Sequence, residues 1–475
     1  MGSPPSTPAP TGAPKRSEWR FVPLYDAVEW VEDYRLGKLH PVNFGDVFKD
    51  GRFRVIRKLG YGSFSTVWLA RDQQYEGSRL RLERFVAMKI LSADASTSAD
   101  TEIKFINYLT DEVPDSPGKK NVMSILDVFN HSGPNGDHTC IVFEAMGPNA
   151  DSMVDELPGN KPKYRFRTNR YPPWMAKSML RQALLGLDFL HKNGVCHGDF
   201  QPGNLLFSLK DLTAVGDNLS QDFSEDAVSD PIQRVDGSND PSAPKFLAID
   251  QPLTKYTDLS PEFVLKVSDL GAAFFVSDPP KKDVTPVSLC SPELVLEGKT
   301  GLGQDVWSFG CLVYEFLTSQ HLFVIWPGKD NDLNNDEMIL KFIGRLGPLP
   351  ETLLSKWPRS KKYFDEKGKQ RKYPVKDPNG NAGSPEELES QPYEQHEIDS
   401  GRGKVAPLAE SENSPQEVAS PPASDEEEEL EWPCPSIEKA FDKIKNPELG
   451  LQEADEIKNL LRYILQYDPE KRPST

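Results

Sequence analysis

Apolar and polar residues alternate along Phe53-Arg-Val-Ile-Arg-Lys-Leu59 and again along Ser65-Thr-Val-Trp-Leu-Ala70. A two-residue period puts alternate side chains on opposite faces of an extended chain, so both segments are predicted as strands. Phe85 to Leu91 is predicted as another strand, and Val122 to Phe129 with Thr139 to Phe143 completes a small sheet. Glu102-Ile-Lys-Phe-Ile-Asn-Tyr-Leu109 has helical spacing instead. Beyond Gly147 that spacing dominates, over Trp174 to Lys192, Gly303 to Ser319, Asp336 to Arg345 and from Pro435 onward. The pattern predicts an α+β chain, a small sheet with one helix followed by a larger, mostly helical part. At 475 residues the chain exceeds one compact core and suits two lobes or two domains.

Several segments break the pattern. Residues 1–18 form a Pro/Ser/Thr-rich tail, expected to be disordered, and 19–50 read as an extension packed onto the domain, with aromatic residues spaced among charges. The stretch 210–262 is rich in Asp, Ser and Pro. The stretch 374–431 is low in complexity, holds Ser-Pro pairs at Ser384, Ser414 and Ser420, and ends in Asp425-Glu-Glu-Glu-Glu429. Both lack the apolar content to build a core and are expected to be disordered insertions. The remaining divisions fall at 51–146 for the sheet-bearing part and 147–475 for the helical one.

The formal net charge of -18 opposes general nucleic-acid binding and favours basic partners. Five scattered cysteines without paired spacing predict a reducing compartment, no disulfide frame and no zinc site. No apolar run approaches a membrane span and no signal-peptide core is visible, so the expectation is a soluble monomer of cytoplasm and nucleus. Met1-Gly-Ser-Pro-Pro-Ser6 matches the loose myristoylation pattern, but the prolines beside Gly2 read as an ordinary tail.

Candidate chemistry lies in four segments. Gly60-Tyr-Gly62-Ser-Phe-Ser65 joins two predicted strands, which decides against a dinucleotide site, where the glycines must open a helix. Val86-Ala-Met-Lys89 follows on a strand. Gly194-Val-Cys-His197-Gly-Asp199-Phe-Gln-Pro-Gly-Asn204 offers one carboxylate to steer a hydroxyl proton and one amide. Ser268-Asp269-Leu270-Gly271 adds a second carboxylate, and with that amide it could hold metal ions. These are the parts needed to move a phosphoryl group from ATP.

In this order the four segments resemble those of protein kinases, which implies a bilobal fold with a small antiparallel sheet in the N-lobe and a larger helical C-lobe. The resemblance implies that the backbone at Gly60 and Gly62 covers the ATP phosphates and that Lys89 contacts the outer ones. Glu102 is the candidate ion-pair partner of Lys89, with Glu112 as fallback, and Ile106 is expected to bridge to Leu126, Leu270 and His197. Asp199 is expected to orient the substrate hydroxyl, and Asn204 and Asp269 to bind Mg²⁺ through oxygen. The adenine ring is expected between Leu59, Val67 and Ala87 above and Leu206 below. Phe143-Glu144-Ala-Met146 stands as the hinge, with the backbone of Glu144 and Met146 meeting the adenine edge. Such residues also suit a plain core; only the motif register assigns them to nucleotide. Ser291-Pro-Glu293 stands where kinases carry Ala-Pro-Glu, Arg472 is its expected ion-pair partner, and Asp305 is expected to brace the catalytic loop.

Within the kinases, Leu39-His-Pro-Val-Asn-Phe-Gly-Asp46 and the Gly51 to Asp72 run, with Phe64-Ser-Thr-Val-Trp-Leu69 at its centre, are similar to the SR-protein kinases. Asp269-Leu270-Gly271 in place of Asp-Phe-Gly and the spacer between Asn204 and Asp269 fit as well. That resemblance implies a Ser/Thr kinase acting on Arg/Ser-rich splicing factors. Four positions depart from the pattern. Gly198 replaces the residue before the catalytic Asp, Gln201 replaces a lysine aimed at the transferring phosphate, Cys290 replaces an arginine, and Thr285-Pro286 is one residue out of register. Two other readings stay open: a kinase fold with feeble or no catalysis acting as a scaffold, and a small-molecule phosphotransferase, against which Ser291-Pro-Glu293, Asp305 and Arg472 speak.

Overall fold

The computed structural model describes residues 18–24, 28–75, 85–97, 100–158, 160, 169–210, 227–280, 285–325, 330–365 and 435–475. Six strands form one antiparallel sheet in the order β1-β2-β3-β4-β6-β5, comprising β1 (Val47–Phe48), β2 (Phe53–Gly62), β3 (Ser65–Asp72), β4 (Phe85–Leu91), β5 (Ile125–Gly133) and β6 (Gly136–Glu144). Alternation sorts their side chains. Val86, Met88 and Ile90 join Trp68, Cys140 and Val142 in an outer cluster, whereas Ala87, Leu91, Ile141 and Phe143 enter the main core. Lys89 has the parity of Ala87 and Leu91, so β4 aims it at the side of the sheet that faces the main core.

The helical part is built around two long helices, Pro173–Lys192 and Leu302–Thr318. The first starts with Pro at its first turn, where a missing N–H costs nothing, and buries Met175, Ala176, Met179, Leu180, Ala183, Leu187 and Leu190 on one stripe. The second is buried along nearly its whole length, with Trp307 stacked on Phe323 at 5.7 Å between ring centres. One apolar core runs from Ala87 and Phe143 of the sheet through Leu205 and Leu270 to Trp307 and Leu461.

Two expectations are corrected. The segment 210–262 is not a coreless insertion over its described part, because Ala227, Leu247, Ala248 and Leu253 are buried. Leu247 packs with Phe21, Val31 and Tyr34 of the N-terminal extension, Ala248 against the outer face of the sheet, and Leu253 against Ile56 and Leu69. Such a segment needs only a few apolar anchors, since it covers surfaces that other elements supply. Residues 211–226 and 374–431 lie outside the described residues. The second correction is Leu126, which is 46% exposed and not part of the Ile106 contact. A bulge between Ile125 and Asp127 turns it outward, and Val128 packs against the core in its stead.

Three of the histidines meet where the extension crosses the β5–β6 hairpin. The His40 ring lies 4.7 Å from that of His131 and 4.8 Å from that of His138. Burial, then the two neighbouring imidazoles, pushes His40 down from 6.5 to about 3. Burial also lowers His131 and His138. The folded chain therefore holds fewer protons here than the unfolded one, so this contribution is intact above about pH 6.5 and is lost as pH falls below it. At about pH 5, His40 alone accounts for roughly 2 kcal/mol of lost stability. His40→Leu is expected to flatten the fall of the thermal midpoint between pH 7.5 and 5; an unchanged slope rejects the assignment.

Candidate active site

Strand register brings the upper half of the site together. Lys89 pairs with Val67 on one side and Ile141 on the other, while Ala87 pairs with Leu69 and Phe143. Gly60 pairs with Val67 and Gly62 with Ser65, so the two glycines close the β2–β3 hairpin directly above. Leu59, Val67 and Leu206 are partly buried against the same core as Ala87, Phe143 and Met146. Six of the seven sequence-predicted adenine and hinge residues thus belong to or pack on that one core, and the carboxylate of the seventh, Glu144, accepts from Lys266 of β9 (Leu265–Val267).

Lys89 Nζ lies 2.8 Å from Glu102 Oε2 and 3.3 Å from Asp269 Oδ1. Glu102 projects from the helix Asp100–Asn107 and is buried, whereas Glu112 is exposed, so the structure selects Glu102. Burial opposes the charge on Lys89, yet Glu102 and Asp269 together outweigh it and hold the ammonium above its usual range. Burial likewise opposes the Asp269 carboxylate, and Lys89 overcomes it, leaving Asp269 below its usual range. Asp269 sits at φ +61°, in the left-handed region, and accepts a hydrogen bond from the Gly271 N–H. That backbone keeps its carboxylate half exposed beside Lys89.

Two short ribbons fix the lower half. Strand β7 (Val195–Cys196) pairs with β10 (Phe274–Phe275), and β8 (Leu205–Phe207) pairs with β9. The loops 197–204 and 268–273 are therefore each anchored at both ends and lie side by side. Ser268 N donates to Asn204 O at 2.9 Å, and His197 Nε2 meets Ser268 O at 3.1 Å. Asp305, fully buried in the Leu302–Thr318 helix, accepts from the backbone N–H groups of His197 (2.7 Å) and Gly198 (3.0 Å) and lies 2.9 Å from His191 Nε2.

Asp199 ends this network. Gln201 Nε2 donates to both of its carboxylate oxygens, at 2.7 and 2.8 Å. Asn204 Nδ2 donates to its backbone oxygen at 2.8 Å and to Oδ2 at 3.0 Å. Burial raises the Asp199 carboxyl, against the Gln201 amide and His197. The arrangement presents a fixed carboxylate on one loop, a second carboxylate on the adjacent loop, and a lysine above. Farther out, Arg472 makes a two-pronged pair with Glu293 at 2.6 and 2.7 Å.

Sequence reasoning missed three partners. Lys58, wholly buried one residue before Leu59, binds Glu29 of the extension, the Ala248 carbonyl (3.2 Å) and Asp250 (3.3 Å). Lys266 holds the hinge side chain. Gln304 reaches the 197–204 loop beside Asp305. Nothing local marks any of them, since each partner lies on a distant segment.

The protein kinase domain family matches residues 53–475. A serine/threonine-protein kinase SRPK of Physarum polycephalum is 33% identical over 73% of this chain and 78% of its own length. Protein kinase dsk1 of Schizosaccharomyces pombe is 28% identical over 74% of this chain and 77% of its own. SRSF protein kinase 3 of Homo sapiens is 37% identical over a shorter stretch, 38% of this chain and 29% of its own length. A solved kinase-domain structure superposes with a TM-score of 0.53 at 20% identity, covering 91% of this chain and 95% of that one, which speaks for the fold. With a helical lobe beneath an antiparallel sheet and these relatives, the chain belongs to the protein kinases and is an SR-protein-kinase-like serine/threonine kinase.

Proposed function

We propose that the chain transfers the γ-phosphate of ATP to serine hydroxyls in protein substrates, with Asp199 orienting the hydroxyl and Lys89 holding the outer phosphates. The supporting observation is that Lys89 is tied to both Glu102 and Asp269 while Gln201 and Asn204 fix the Asp199 carboxylate. Phosphoryl transfer asks mainly for such positioning and for charge neutralisation. Asn204 and Asp269 are the residues that would hold Mg²⁺, which would neutralise phosphate charge when bound. An amide and a carboxylate fit a hard cation that keeps several waters and phosphate oxygens in its shell. Basic Arg/Ser-rich segments are the proposed substrates, in keeping with the net charge of -18 and the SR-kinase relatives. A radiolabelled-phosphate assay with Mg-ATP on peptides containing Arg/Ser repeats tests the proposal; no transfer to any peptide overturns it.

A scaffold with feeble catalysis is the second reading, favoured by one observation: the group bridging Asp199 is the neutral amide of Gln201. A lysine there could bond Asp199 and also face the transferring phosphate. Gln201→Lys is therefore expected to raise kcat by roughly tenfold or more, by analogy with other groups that stabilise developing charge. An equal or lower kcat counts against this account of Gln201.

A further inference from the structure

Gly198 sits at φ +79°, and a Cβ there would come within 2.5 Å of the Ala272 carbonyl oxygen. The absence of a side chain lets the metal-side loop pack directly on the catalytic loop. It also leaves the peptide between Gly198 and Asp199 free to rotate unless something holds its carbonyl. Two residues do. Thr285 Oγ1 donates to Gly198 O at 2.8 Å, and Gln304 Nε2 donates to the same oxygen at 3.3 Å. Gln304 Nε2 also donates to Thr285 Oγ1 at 2.5 Å, which sets that hydroxyl to donate onward. Both side chains are buried. Neighbouring residues of one helix thus grip the two sides of Gly198, Asp305 by its N–H and Gln304 by its carbonyl.

We propose that Gln304, acting with the Thr285 hydroxyl, is a positioning residue that locks the Gly198–Asp199 peptide and thereby aims the Asp199 carboxylate. The lock joins the segment before Ser291-Pro-Glu293 to the 197–204 loop through neutral side chains. It rests on the kinase reading above for its catalytic consequence.

The test uses the full chain with Gln304→Leu, Thr285→Val, the double variant and Thr285→Ser. Five quantities are read: kcat, the KM values, ADP affinity by titration, the thermal midpoint, and amide hydrogen exchange across residues 196–204. Each single variant is expected to lower kcat by roughly tenfold to a hundredfold, the scale of small misplacements of reacting groups. ADP affinity is expected to stay within about twofold, because the lock does not touch the phosphate-holding groups. Exchange should quicken across 196–204 and not elsewhere, and Thr285→Ser should restore most of kcat. The double variant should be no worse than the worse single one, since both remove one coupled element.

Unchanged kcat in both single variants overturns the proposal. So does a parallel loss of ADP affinity and thermal midpoint, or a fully multiplicative double variant. If Gln304→Leu does not fold, Thr285→Val carries the same test from outside the helix. A wild-type chain that binds ADP yet transfers no phosphate overturns the kinase reading instead, and exchange at 196–204 then decides the lock by itself.

Discussion

Asp199→Ala is expected to lower phosphoryl transfer by roughly three orders of magnitude, in the range of a lost positioned acid–base group. Nucleotide affinity should change little, because Asp199 is tied to Gln201 and Asn204 and not to Lys89. Lys89→Met is expected to abolish transfer to a similar degree and to weaken nucleotide binding as well. It removes the partner of both Glu102 and Asp269 and leaves the buried Glu102 carboxylate without its cation. Measuring kcat with Mg-ATP alongside direct nucleotide titration separates the two outcomes. If both variants keep wild-type turnover, neither residue serves the reaction and the site assignment fails.

The second large effect is on stability. Glu293→Ala is expected to cost about 3–5 kcal/mol, the penalty for stripping one partner from a buried ion pair. Arg472 would keep backbone acceptors at Gln466 and Gly303 and its place 5.0 Å over the Trp307 ring, but would lose its counter-charge. Replacing both residues by methionine should recover part of the loss, since no unpaired charge then remains in the interior. Urea unfolding midpoints at fixed slope measure both variants. A shift below about 1 kcal/mol for Glu293→Ala, the scale of an exposed pair, would show that the pair contributes no more than a solvated one.

Much of the site was legible because its residues sit in short motifs whose local neighbours constrain them. The Val86-Ala-Met-Lys89 strand, the His197 to Asn204 loop and Asp269-Leu-Gly271 each carry their own backbone geometry, and the structure sets Asp269 3.3 Å from Lys89 and its loop beside that of Asp199. Glu102 already ranked ahead of Glu112 in the sequence, and the structure pairs it with Lys89 while Glu112 lies exposed in the wider turn that follows Asn107. Leu126 was misplaced because a bulge shifts strand parity by one, and no composition signal announces a bulge. The stretch 227–262 was misread for a related reason. Its few apolar residues look insufficient alone, yet Leu247, Ala248 and Leu253 land on surfaces provided by the extension or the sheet.

By itself, the sequence determined the order of strands and helices, through periodicity, and the identities of the groups that could carry phosphate and metal, through motif spacing. Only the tertiary structure decided which groups meet. Lys89 and Asp269 are 180 positions apart, Lys58 and Ala248 190, and Gly198 and Gln304 106. Periodicity and capping act within a few residues, whereas these contacts exist only after the chain has buried its apolar faces and brought distant segments into register.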